Sequence, residues 1–175
     1  PDRVKMTSPS EDQGSQIELQ GSFLEAFVET NKIFIRKDVR GQKNLNNGKV
    51  FLVQSGSVEL SGKDRTAKFK ENVNMQMDAM KIQGPEAHFN YKPGVDLLDA
   101  IKVVGGAKVS DRDKLATADS VQYDPEKNDF IFNGRPRVIQ NNDEITGDKI
   151  IFVDGGKRVK VEKIKANMEK PAEKP

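Results

Sequence analysis

The sequence predicts an all-β protein built from repeated short antiparallel strands, on three observations. No window sustains apolar residues at i, i+3, i+4 and i+7, the spacing of an amphipathic helix. Apolar and polar residues alternate instead, as Val73, Met75 and Met77 do with Asn74, Gln76 and Asp78. Turn-forming clusters recur roughly every ten residues, the beat of an antiparallel sheet.

From the N-terminus, residues 1–16 ("PDRVKMTSPSEDQGSQ") are polar and aperiodic, and are expected to form a flexible leader that is mobile or lies along another element. "SFLEAFVETNK" (22–32) reads two ways, as two helical turns or as a strand among strands. Turn chemistry then breaks the chain at "NNGK" (46–49), "KPGV" (92–95), "YDPEKND" (123–129) and "DGGK" (154–157). Between the breaks Phe130 and Phe132 flank Ile131, and Val159 and Val161 sit among Lys and Arg, both marks of strands. The expected organisation is one domain over 17–166, with 167–175 as a flexible tail.

Composition agrees with a thin, layered structure. Of 175 residues 35% are apolar and 32% charged, with no Trp, two Tyr and nine Phe, so the core is lean, aliphatic and Phe-bearing. A net charge of +2 gives no reason to expect nucleic acid. The absence of Cys excludes disulfides and thiolate chemistry. No apolar run approaches the roughly 20 residues of a bilayer-spanning helix. The sequence begins at Pro1, which leaves open a signal peptide or an anchor ahead of it.

A rhythm recurs along the chain. Ile82, Gly84, Ala87 and Phe89 superpose on Ala116, Ala118, Val121 and Tyr123, and on Ile145, Gly147, Ile150 and Phe152, with steps of two, three and two. Gly105 precedes Val109, and Gly134 precedes Val138, by the same four positions. Weaker echoes are Leu60, Gly62, Ala67 and Phe69 leading to Val73, and Ile33 and Ile35 leading to Val39. Side chains alternate faces along a strand, so a step of three reverses the face unless the chain bends or bulges at the small residue. Each copy therefore reads as strand, corner, strand, with both apolar pairs aimed at one interior. Units of roughly 30 residues with a single apolar face must stack on neighbours. The product is an elongated, folded-over sheet whose interior is either a packed core or a trough for a long apolar ligand; spacing does not separate the two.

The ordered series Ala118-Asp119, Tyr123, Asp124-Pro125, Phe130 to Gly134, Val138 and Gly147-Asp148 resembles the OstA-like repeat of the lipopolysaccharide-transport proteins, and "GGKRVKVEKIKA" (155–166) is similar to that family's late strand. The resemblance is close over 80–166 and loose over 17–79. It implies a twisted, taco-like β-jelly-roll whose trough takes lipid A acyl chains, in the periplasm. It further implies edge-strand pairing with like domains of a transport bridge, including a head-to-tail homo-oligomer. Both the soluble bridge proteins and the periplasmic domains of membrane-anchored relatives fit.

On that reading the expected lipid-binding residues are Ile82, Phe89, Ile101, Val121, Tyr123, Phe130, Phe132, Ile150, Phe152 and Val159. Burying an acyl chain is worth about 0.8 kcal/mol per CH₂, which makes hand-over between equivalent troughs nearly neutral. The basic cluster around Lys157, Arg158 and Lys160 is either a solvated edge or an anion contact for the ligand's phosphates. No catalytic residues, cofactor or metal are expected. His88 is the single His, lies between inward positions and should face out, and no nucleophile motif or P-loop occurs. The alternative from another class is a structural repeat module with a filled core and no ligand.

Overall fold

The computed structural model describes residues 3–7, 17–44, 50–94, 97–163 and 165–167, and only the backbone of the last three. Among the described residues there is no helix. The strands are β1 (Val4–Thr7), β2 (Ile17–Gly21), β3 (Phe23–Phe27), β4 (Lys32–Asn44), β5 (Val50–Ser61), β6 (Thr66–Met77), β7 (Met80–Tyr91), β8 (Leu98–Asp111), β9 (Lys114–Asp124), β10 (Asp129–Asn133), β11 (Arg137–Gln140), β12 (Asp143–Thr146), β13 (Lys149–Val153), β14 (Arg158–Glu162) and β15 (Lys165–Asn167). All belong to one 15-stranded sheet, and among the described residues every pairing is antiparallel and the sheet does not close on itself. It is the expected folded-over jelly-roll.

The sheet is creased along one line. Pairing slips between Arg36 and Val39, Gln54 and Ser57, Lys70 and Val73, Gln83 and Glu86, and Val104 and Ala107. Further along, β9 pairs with β11 through Ala116 and with β10 through Val121, so its two ends lie on opposite sides of the crease. One side carries β3, β10, β13, β14 and the matching parts of β4 to β9, and it holds Phe69, Phe89, Phe130, Phe132 and Phe152; we call it the Phe leaf. The other, with β1, β2, β11, β12 and β15, holds Met6, Met75, Met77 and Met80 and is the Met leaf. The leaves meet face to face: the Phe51 and Phe89 rings are 5.6 Å apart, and the Tyr123 hydroxyl lies 3.7 Å from Met77 Sδ.

The repeat's inward aim is borne out, since Ile82, Ala87, Phe89, Ala116, Ala118, Val121, Tyr123, Ile150 and Phe152 are all buried and Ile145 packs against them. The device at the corner differs from the expectation. The repeat assigns the bend to Gly84, Ala118 and Gly147, but left-handed backbone occurs on the alternate strands, at Lys37-Asp38, Glu71-Asn72, Gly105-Gly106, Gly134-Arg135 and Lys163. On β4 and β6 two such residues stand against one on β5, a bulge that sharpens the bend. Charged and amide side chains there hide the corner from a reading that looks for Gly, although Asn and Asp tolerate this region better than most.

Asp119 and Asp148 tie adjacent corners together. Their amides donate to the Gly134 and Glu162 carbonyls at 2.8 and 3.0 Å, and their carboxylates pair with Arg135 and Lys163 at 2.8 and 3.0 Å. These ion pairs are exposed and add little stability. The echo at Leu60, Gly62, Ala67 and Phe69 is no corner: Gly62 sits in the 62–65 turn between β5 and β6.

Part of the N-terminal stretch lies along another element, one of the two arrangements expected of it. Val4–Thr7 forms β1 along β2, with Val4 and Met6 half-buried and Lys5 and Thr7 exposed, an alternation too short to stand out in the sequence. The remainder, 1–2 and 8–16, lies outside the described residues, as does 168–175 of the expected tail. "SFLEAF" resolves as a strand, β3, because β4 offers it an antiparallel partner from Lys32 to Arg36.

Candidate functional site

The candidate site is the interior between the leaves, and cross-strand register organises it into rows. On the Phe leaf, Phe89, Ile101, Tyr123, Phe130, Phe152 and Val159 face one another in succession across β7, β8, β9, β10, β13 and β14. The next row holds Val121, Phe132 and Ile150. Of the ten expected lipid-binding residues only Ile82 lies on the Met leaf, beside Met75 and Val109. Register thus brings nine of them together, because each occupies an equivalent rung of its strand.

The middle of these rows is packed. Phe130, Phe132 and Ile150 are 0% exposed and Ile101 and Phe152 1%. Tyr123 stacks on Phe130 at 4.5 Å, and Phe132 leans on Phe152 at 4.7 Å. The ends of the rows are open. Val159 and Val161 are half-buried at one end, while at the other Leu24, 37% exposed, follows Ile35. On one side β3 and β1 border the Phe and Met leaves, and on the other β14 and β15 do.

Sequence reasoning missed a hollow region of the interior. A cavity of about 450 Å³ opens between β1–β2 and the near ends of β5, β6 and β7, lined by Met6, Ile17, Leu19, Leu60, Ala67, Phe69 and Tyr91, with Arg65 and Lys92 at its lip. The echo containing Leu60, Ala67 and Phe69 was the available signal.

The expected anion contacts lie elsewhere than the interior. Lys157 is in the turn before β14 and pairs with Asp154 at 2.7 Å, which holds that carboxyl below its usual range. Arg158 and Lys160 project from the outer face, alternating with inward Val159 and Val161. His88 also sits on the outer face, half-buried, with Nε2 2.5 Å from Glu86 Oε1.

Burial, aided by the nearby Asp124 charge, pushes the Tyr123 phenol up to about 12. Its hydroxyl donates toward Asn128 Oδ1 at 3.2 Å. A phenol that is harder to ionise when folded contributes stability that is whole below about pH 10 and is lost as pH rises through the folded value. Wild type is expected to lose up to about 2 kcal/mol more than Tyr123→Phe between pH 10 and 12, read from parallel urea titrations. Equal slopes for the two proteins would refute it.

Comparison with known proteins places the fold. The crystal structure of LptH, described as the LptA homologous periplasmic component of the conserved lipopolysaccharide transport device from Pseudomonas aeruginosa, shares it with a TM-score of 0.61 at 17% identity, covering 69% of this chain and 95% of that one. No curated protein matches the sequence. The family described as LptA/(LptD N-terminal domain) LPS transport protein matches residues 52–158, well over half of the chain, from β5 to the start of β14. The chain belongs to that family of lipopolysaccharide-transport proteins.

Proposed function

We propose that this chain is a non-enzymatic, periplasmic lipopolysaccharide-transport protein. It shields lipid A acyl chains between its two leaves and pairs its edge strands with like domains to bridge the inner and outer membranes. The observation that carries this reading is an apolar interior with open ends inside a sheet that never closes, in a chain of the transport family. Unpaired edge amides and carbonyls invite strand addition, and in a protein with no mechanism of assembly they are a hazard. Handing an acyl chain to an equivalent interior costs little net free energy, so directed flow needs only a biased source. One observation favours the filled-core alternative, the full burial of Phe130, Phe132 and Ile150.

Crosslinking tests both halves of the proposal. A photo-crosslinker at Val159, at the open end of its row, is expected to capture lipopolysaccharide in cells. Cysteines replacing Leu24 on β3 and Arg158 on β14, in a chain with none of its own, are expected to link one copy to the next under oxidation. A Val159 probe that never captures lipopolysaccharide removes the carrier role; failure of the cysteine pair removes the pairing of these two edges.

A further inference from the structure

We infer that the cavity at the β1–β2 end is a site for the head and first chain of an anionic amphiphile, with Arg65 as its head-group contact. The inference rests on the carrier reading and assigns the point of the interior where a ligand is held. Its volume of about 450 Å³ falls within the range of small-molecule sites. Leu19, Ala67 and Phe69 make an apolar floor; behind Phe69 the Phe89 and Phe51 rings close in, at 4.8 and then 5.6 Å.

The charged residues lining the cavity are Arg65 and Lys92, and they differ in their partners. Lys92 pairs with Glu126. Lys43 is turned inward on β4, 9% exposed, with its ammonium 5.2 Å from the centre of the Tyr91 ring. Arg65, exposed in the 62–65 turn, makes no ion pair among the described residues. Its neighbour Asp64 accepts from the Ser61 hydroxyl at 2.7 Å. The Arg65 carbonyl accepts the Tyr91 amide at 3.1 Å, which anchors the backbone beneath the guanidinium. A planar guanidinium at the mouth of an apolar pocket suits a phosphate or carboxylate on a hydrocarbon tail.

Binding of dodecyl phosphate, dodecanoate and the neutral dodecyl maltoside to the full chain tests this. Arg65→Gln is expected to weaken dodecyl phosphate about tenfold, the scale of one charge-assisted hydrogen bond, and to leave dodecyl maltoside unchanged. Parallel loss of dodecanoate extends the head class to carboxylates; its retention restricts the class to phosphates. Leu60→Trp, filling the half-buried rim, is expected to abolish binding of all three while the thermal melt stays cooperative. Equal effects of Arg65→Gln on charged and neutral probes, or unchanged binding by Leu60→Trp, overturn the site. A photo-crosslinker at Leu60 separates the two levels: capture of lipopolysaccharide at Val159 but not at Leu60 defeats this site and keeps the carrier, and capture at neither position defeats both.

Discussion

Replacing Phe132 by Ala is expected to lower the unfolding free energy by about 3–5 kcal/mol, the range for removing a fully buried aromatic ring. The ring has no exposed surface, leans on Phe152 at 4.7 Å, and stands between Val121 and Ile150 across the strands. Collapse into the void is hard, since the backbone on both sides is held by sheet pairing. Leu24→Ala, on the same row but 37% exposed at its open end, is expected to cost less than about 1 kcal/mol. Urea denaturation of the two variants measures the difference. Phe132→Glu sharpens the result: a carboxylate driven into that packing should prevent folding, and a folded, stable Phe132→Glu protein would show that the row lines an open trough even at its centre.

Gly147→Ala is the second large effect, about 1–3 kcal/mol, and it should be local. A Cβ at Gly147 meets Val161 Cγ1 at 2.7 Å and the Glu162 carbonyl oxygen at 2.8 Å. The side chain can rotate away. The carbonyl cannot, because it accepts the Asp148 amide at 3.0 Å and closes the last corner. Hydrogen exchange is expected to show lost protection in β13 and β14 with β5 to β8 unchanged. Full protection of β14 in the variant would mean the corner has slack that these distances deny.

Gly147 also separates what was legible from what was not. The step of three around it announced a corner, and the corner is there. The expectation that the glycine itself bends was a local inference about a shared feature. The left-handed turn comes just after the neighbouring strand, at Lys163, and Gly147 is small to let that strand's end lean across. At β4 and β6 the same turns are made by Lys37-Asp38 and Glu71-Asn72, residues that advertise nothing. Most of the stretch that carries the family resemblance, from Ala118 to Asp148, sits inside the matched segment 52–158, the similar late stretch 155–166 runs past its end, and β1 to β4 lie outside it. That is the part where the helix-or-strand ambiguity of "SFLEAF" could be resolved only by its partner, β4.

Alternation of side chains is a property of one strand, so the inward face, the all-β class and the stacked repeats were written in the order of residues alone. Which rungs meet across strands, where the row is dense and where it is hollow depend on how many residues each corner holds and on what covers each end. Phe132 and Phe69 look alike in sequence, inward Phe residues on equivalent strands. One is sealed by Phe152 and Ile150, and the other borders the cavity beneath Leu19 and Met6. Only the fold decides that, because packing is set by neighbours far apart along the chain.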